Sequence, residues 1–284
     1  MSRNLTLSCE FFPPKTEKGA ANLRSVREDL ISLKPEFYSV TFGAGGSTQD
    51  NTMEAVLEIQ QQQPRTGIDA APHLSCIGSS ADRLRELLQT YRSQQIRRIV
   101  ALRGDLPSGM QDPGDFRYAN ELVEFIRKET GDHFTIEVAA YPEVHPQAAT
   151  AHADLDNFKR KVDAGADSAI TQYFYNVDAY RFFVDRCQQI GIDIPIIPGI
   201  MPINNFAQLA RFSAGCGAEI PRWLRKRLEE FYDDTESMKA FTLDFLTSFC
   251  EQLIDLGVPG LHFYTMNKTE PTLTICQRLN LATD

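Results

Sequence analysis

The stretch LTLSCEFFPPK (5–15) alternates apolar with small or polar residues and then meets two prolines, which have no backbone N–H to extend a strand ladder. It reads as one β-strand, 5–12, carrying a single carboxylate, Glu10, near its end. Seven further runs share its β-branched or aromatic bias: FYSVTFGA (37–44), DAAPHLSC (69–76), RIVALRGD (98–105), TIEVAAYP (135–142), SAITQYFY (168–175), IPIIPGI (194–200) and LHFYTMN (261–267). Their starts fall roughly 25 to 37 residues apart until the last interval, and about 30 residues is the size of one β/α unit. Eight such units predict an α/β fold, a single (β/α)8 TIM-type barrel over 1–284, with a doubly wound sheet as the alternative.

Helical periodicity fills the gaps. ADRLRELLQTYRSQ (81–94) places Leu84, Leu87 and Leu88 on one face, DLDNFKRKVDAG (154–165) ends at Gly165, and NVDAYRFFVDRCQQIG (176–191) follows the sixth strand. The longer gap before the eighth strand holds NFAQLARFSAG (205–215), PRWLRKRLEEFY (221–232) and ESMKAFTLDFLTSFCEQLIDLG (236–257), so additional helices are expected there.

The chain has 284 residues, 42% of them hydrophobic and 24% charged, with no apolar run long enough to cross a bilayer. MSRNLTLS (1–8) lacks the features of a secretory signal, and the six dispersed cysteines form no C-x-x-C pair, so a reduced, cytoplasmic setting is expected. A net charge of −9 argues against nucleic acid or an anionic membrane as partner. Local cations at Arg103 and Arg160-Lys161 still suit an anionic small molecule. Homo-oligomerisation is left open.

In a β/α barrel the chemistry gathers at the C-terminal ends of the strands. Polar groups do collect there: Glu10, Thr41, His73, Arg103 with Asp105, Tyr141, Gln172, and Tyr264 with Asn267. Glu10 and Asp105 are the candidate acid and base groups. Apolar neighbours are expected to raise the pKa of Glu10 and keep a proton on it near neutrality. The alternative is a Glu10–Arg103 ion pair at the barrel mouth. GAGGST (43–48) is neither a dinucleotide fingerprint nor a P-loop, and reads as a tight turn with Ser47 or Thr48 as N-cap. The five histidines show no tight metal spacing, and no metal is called for.

Read as strings, EFFPPK (10–15), SVTFGAGGST (39–48), PHLSC (72–76), IVALRGDLP (99–107), AAYPEVHP (139–146), NFKRKVDAGAD (157–167), ITQYFYN (170–176), IPGIMPINNF (198–206) and HFYTMN (262–267) resemble the catalytic domain of the methylenetetrahydrofolate reductase family, bacterial type, over nearly the whole chain. The resemblance implies FAD held by Thr41, Ala44, His73, Leu102, Arg103, Gly104, Asp105, Tyr118, Ala119, Ala139, Tyr141, His145, Asp154, Asn157, Arg160 and Lys161. It implies NADH or NADPH as electron donor, 5,10-methylenetetrahydrofolate as substrate, and ping-pong use of one site to make 5-methyltetrahydrofolate for methionine synthesis. Glu10 is then the general acid that opens the folate's five-membered ring, and Asp105 contacts the pterin. Gln172, Gln208 and Phe212 would bind the alternating partners, and Tyr264 and Lys268 the folate tail.

Departures from the family pattern are Phe42, Gln49, Asn51 and Lys268, which bear on dinucleotide preference and tail binding. The chain stops soon after the eighth strand, so no adenosylmethionine control through a C-terminal region is expected, and NADH is the favoured donor. Two rivals stand beside this reading: a folate- or pterin-binding barrel without turnover, and a Schiff-base barrel lyase, against which the absence of a lysine from every expected strand weighs.

Overall fold

The computed structural model describes residues 5–42, 46–105, 114–231 and 234–282. Among them, nine parallel strands form one nearly closed barrel surrounded by ten helices. Strand β1 (Thr6–Phe11) lies between β2 (Phe37–Val40) and β9 (Gly260–Tyr264), and β3 (Asp69–Ser75), β4 (Arg98–Leu102), β5 (Thr135–Ala140) and β6 (Ser168–Thr171) follow outward from β2.

The seventh expected strand is where observation and expectation part. It is two short pieces, β7 (Ile196–Ile197) and β8 (Gly199–Ile200), separated by Pro198. Proline cannot donate to a ladder, so the stave breaks there. Its two halves turn to different neighbours: β7 pairs with β6, and β8 pairs with β9. The carbonyl of Pro198 accepts the His262 N–H at 3.0 Å, which ties the break into the ring.

The helices form where the sequence supplies caps and an apolar stripe. Thr16 caps α1 (Glu17–Asp29), Ser80 caps α3 (Ala81–Ser93) and Thr150 caps α5 (Ala151–Asp163), each side-chain oxygen accepting a first-turn N–H. In α3, Leu84, Leu87, Leu88 and Tyr91 are all buried, as the period requires. Helix α2 (Gly46–Thr66) already contains Ser47 and Thr48, so neither is its N-cap, and residues 43–45 lie outside the described part. Helices α4 (Ala119–Thr130) and α6 (Val177–Gln189) cover the sheet further round. Helices α7 (Phe206–Cys216), α8 (Arg222–Glu230) and α9 (Thr235–Asp255) are the additional helices before the last strand, and α10 (Thr272–Arg278) follows it. No described helix is long and apolar enough to cross a membrane.

Two layers of core result. The larger lies between strands and helices. The smaller, Phe37, Ala71, Val100 and Ile170 with Leu102 and Tyr264 against them, is made by residues of alternating phase on the strands. Polar groups join it: buried Glu137 accepts from both Arg98 and Ser168, and the Arg98 guanidinium lies 4.6 Å from the Phe37 ring centre. These belong to the early parts of their strands. The late parts carry the candidate chemistry.

Candidate active site

Glu10 is the fifth residue of β1, and the register of β1 with β9 pairs Ser8 with His262 and Glu10 with Tyr264. This brings three distant side chains together. Oε2 of Glu10 lies 3.1 Å from Nε2 of His73 on β3 and 3.6 Å from Nε2 of His262 on β9. Neither imidazole nitrogen makes a hydrogen bond of good geometry, so these are close ionic approaches rather than directed bonds. Nδ1 of His262 is 2.7 Å from Ser8 Oγ.

The surroundings of Glu10 correct the expectation. Burial pushes its carboxyl up, but the facing charge of His73 and the approaches of both imidazoles outweigh burial and hold it down at about 2. The neighbours are therefore basic, not merely apolar. Nor does Glu10 pair with Arg103, whose Nε donates to the Gly104 carbonyl at 3.0 Å and whose Nη2 stands 4.0 Å from Asp105 Oδ1. Although two imidazoles and a carboxylate meet here, no described group of three such side chains is arranged to hold a metal ion.

The last residues of several expected strands lie just beyond the ladders. Strand β4 stops at Leu102, so Arg103, Gly104 and Asp105 form a turn, and the expected alternation that puts Arg103 and Asp105 on one side no longer applies. Gly104 has φ +82°, and a Cβ there would overlap the Ser75 hydroxyl. Asp105 is fully exposed. Thr41, Tyr141 and Gln172 likewise follow directly on β2, β5 and β6.

A cleft of about 310 Å3 opens at this end of β4 and β5. Residues 102–105 line it after β4, Tyr118 and Ala119 at the start of α4, Ala139 and Tyr141 at β5, and His145 in the next loop. Asp154, Asn157, Arg160 and Lys161 line it from one face of α5, at helical spacing. The sequence thus brought together most of the expected cofactor set. Thr41 and His73 stand outside this lining, and Ala44 lies outside the described residues. Ala101, Asn120, Gln147 and Ala148 also line the cleft and were not foreseen. Gln147 was legible in principle, since its N–H donates to Nδ1 of His145 two residues away.

The cleft's charge suits a diphosphate. The Lys161 ammonium donates to the Ala139 carbonyl, and burial pushes it down to about 8 while Asp154 pulls it back up. A cation desolvated at the wall of a cleft gains from an anionic ligand more than a surface lysine does. The ring of Tyr141 packs edge-on against His145, with centroids 4.5 Å apart, and adds an aromatic wall.

Of the expected substrate residues, Tyr264 donates its hydroxyl to the Thr171 carbonyl at 2.7 Å and packs on His262. The Gln172 side-chain Oε1 accepts the Tyr173 N–H at 3.0 Å. Gln208 and Phe212 sit four apart on α7, where Phe212 is exposed, as is Lys268. None of these five lines the cleft. Asn267 clasps the Phe12 backbone in both directions, so it holds the β1 and β9 loops together.

A profile of the methylenetetrahydrofolate reductase family matches residues 1–280. The chain belongs to the methylenetetrahydrofolate reductase family. It is 45% identical over 277 residues to the 5,10-methylenetetrahydrofolate reductase of Escherichia coli K12, covering 98% of this chain and 91% of that one. It is 44% identical over 280 residues to the enzyme of the same name from Pectobacterium carotovorum, covering 99% and 92%. The Arabidopsis thaliana protein named methylenetetrahydrofolate reductase (NADH) 1 is 40% identical over 287 residues, 96% of this chain but 48% of its own length. In fold, the chain superposes with a TM-score of 0.63 and 18% identity on a Clostridium thermocellum protein described as binding two copies of 5-methyl-5,6,7,8-tetrahydrofolic acid, covering 96% and 93%. As a member of this reductase family, the protein has as its assigned chemistry the reduction of methylenetetrahydrofolate.

Proposed function

We propose that the chain is a single FAD-binding barrel that reduces 5,10-methylenetetrahydrofolate to 5-methyltetrahydrofolate with electrons from NADH. One observation carries this beyond the family: Glu10 sits partly buried between two imidazoles at the same end of the barrel as a cleft walled by the desolvated Lys161. FAD, when bound, supplies the relay of a hydride from nicotinamide to folate. Arg103, Arg160 and Lys161 would hold its diphosphate, with Gly104 letting backbone approach closely and Thr41, His73 and Tyr141 beside the ring system.

The chain's own work is acid–base and positional. Glu10, ionised at rest near neutrality and reached by solvent, would take up a proton from water and pass it to a nitrogen of the folate's five-membered ring, and the C–N bond opens as that nitrogen keeps the electron pair. Asp105, exposed at the rim, accepts hydrogen bonds from the pterin and favours the cationic opened form. Gln172, Gln208 and Phe212 would wall the space that donor and folate use in turn, and Tyr264 and Lys268 would steady the folate tail. The plant relatives' names support NADH over NADPH as donor. Reduced methyl product supplied for methionine synthesis and a cytoplasmic setting accord with this reading.

The purified protein should be yellow; anaerobic NADH should bleach it, and methylenetetrahydrofolate should restore the colour. A protein that cannot be loaded with FAD sinks the proposal. The Clostridium neighbour's ligand keeps a binding barrel without turnover as the second reading. Folate binding without reoxidation of the bleached protein would select it.

A further inference from the structure

Helix α7 carries Gln208 and Phe212, and its buried residues are Leu209 and Ser213. At about 100° per residue, Leu209 and Ser213 make one stripe, turned inward, and Gln208 and Phe212 make the stripe beside it, where Phe212 is exposed. One end of the inward stripe is polar. Ser213 Oγ lies 3.0 Å from the hydroxyl of Tyr173, and the Cys216 thiol donates to the same hydroxyl at 3.4 Å. Tyr173 precedes these two by 40 and 43 residues and directly follows Gln172 beyond β6. Its hydroxyl therefore joins the strand end that bears Gln172 to the helix that bears Gln208 and Phe212.

Packing alone does not call for that hydroxyl. The buried Tyr173 ring already meets Tyr175 and Tyr264, with centroids 5.8 and 6.4 Å apart. A phenylalanine here, facing an alanine at 213, would pack the same rings with no hydroxyl to desolvate. Burial pushes the Tyr173 phenol up, so the group is neutral and acts only as hydrogen-bond donor and acceptor. A second tie runs the same way, because the Tyr175 hydroxyl donates to the Met201 carbonyl at 3.3 Å in the segment that leads into α7.

We propose that Tyr173 is a positioning residue that acts through Ser213 and Cys216: its hydroxyl pins α7 to the end of β6 and holds Gln208 and Phe212 in one setting relative to Gln172. This rests on the reading of Gln172, Gln208 and Phe212 as the wall that NADH and folate use in turn. Tyr173 is buried and needs no contact with either partner. A wall ordered before binding spares each partner the cost of ordering it, so removing the pin should weaken both by a common factor. A residue that touched one partner would affect that partner alone.

The test uses FAD-loaded enzyme in anaerobic stopped flow, with flavin reduction followed against NADH concentration and reoxidation against methylenetetrahydrofolate concentration. Each half-reaction then yields a limiting rate and an apparent Kd. Tyr173→Phe removes one oxygen and keeps the ring. Leu209 still seats the helix, and the Glu143 carboxylate still accepts the Glu219 N–H just past it at 2.7 Å. Both apparent Kd values should rise by about 3- to 10-fold, the range of one neutral hydrogen bond, with both limiting rates within about twofold of wild type. Ser213→Ala should behave alike and decides the matter if Tyr173→Phe does not fold; the double variant should bind no more weakly than Tyr173→Phe alone. In a Phe212→Ala background, Tyr173→Phe should add less than about twofold. A lower Tm with unchanged Kd values would make the hydroxyl structural and overturn the proposal, as would a rise for one partner alone, a loss confined to the limiting rates, or additive losses. Should Phe212→Ala itself leave both Kd values unchanged, the functional reading of the wall fails and this proposal with it; weakening by Phe212→Ala but not by Tyr173→Phe overturns only this inference.

Discussion

Replacing Lys161 with methionine should make the flavin-free protein more stable while weakening its hold on FAD. The lysine amine lies against the cleft wall with the Ala139 carbonyl as its hydrogen-bond partner, and its pKa falls from the ordinary 10.5 to about 8 because burial disfavours its charge. The sign follows from that lowering. Below pH 8 the folded chain holds a charged amine where a neutral one is preferred, so folding is penalised in full. The penalty fades as pH rises from 8 to 10.5, where the unfolded chain also loses its proton. At ~1.4 kcal/mol per pH unit the gap corresponds to about 3 kcal/mol. The lost hydrogen bond gives back about 1 kcal/mol, and methionine retains most of the methylene packing, leaving a gain of about 2 kcal/mol. For a chain of this size that is a rise of roughly 4 °C in Tm. Circular dichroism melts of flavin-stripped protein at pH 7 and pH 10 would measure it. Fluorescence titration should show FAD bound about 10- to 100-fold more weakly, the cost of a charged hydrogen bond to phosphate. A lower Tm at pH 7, or the same gain at pH 10, would refute the account of Lys161 as a cation kept at a cost for its ligand.

Glu10→Gln should abolish reoxidation by methylenetetrahydrofolate and spare reduction by NADH; comparable losses in both phases would make the residue structural. The same carboxyl, with a folded pKa of about 2 against an ordinary 4.5, contributes stability above pH 4.5 that disappears as pH falls through 2. Urea midpoints of wild type and Glu10→Gln should therefore differ at pH 5 and converge toward pH 2, and a constant gap would contradict the ion-pair geometry. Gly104→Ala forces a side chain into φ +82° and into the Ser75 hydroxyl, so it should cost about 2 kcal/mol or more in thermal melts. Combining it with Ser75→Gly should recover part of that loss.

Period and punctuation made the barrel legible. Each strand is a short β-branched run closed by proline, glycine or a helix cap, and such features act over a few residues. The cleft wall was named through the resemblance rather than through spacing, and the structure adds that Asp154, Asn157, Arg160 and Lys161 line the cleft from one helical face while residues 103–105 turn into it after the fourth strand. Cross-barrel relations were not legible. Glu10, His73 and His262 meet through strand register across separations of 63 and 252 residues, and no local spacing encodes that; His73 was expected at a strand end but not beside Glu10, and His262 was given no site role. The wrong expectation for Glu10 followed directly, since its neighbours in sequence are apolar while its neighbours in space are basic. A combined phase argument could have found His262: Ser8 and Glu10 share a face of the first strand, His262 and Tyr264 share one on the last, and a closed barrel must bring those strands side by side. The break at Pro198 was visible as a residue but not as a division of one stave between two partners.

That division has a mechanical consequence. A ring of staves yields first at the joint with the fewest rungs, and here the joint is two residues of pairing on either side of Pro198, against six and seven residues in the first and third strands. Amide exchange should find this joint opening at lower free energy than the β1–β3 region. The helix bearing Gln208 and Phe212 begins only a few residues past it. The wall proposed to receive two differently shaped partners in turn is thus hung on the barrel's most compliant edge, while the proton donor is set in its stiffest.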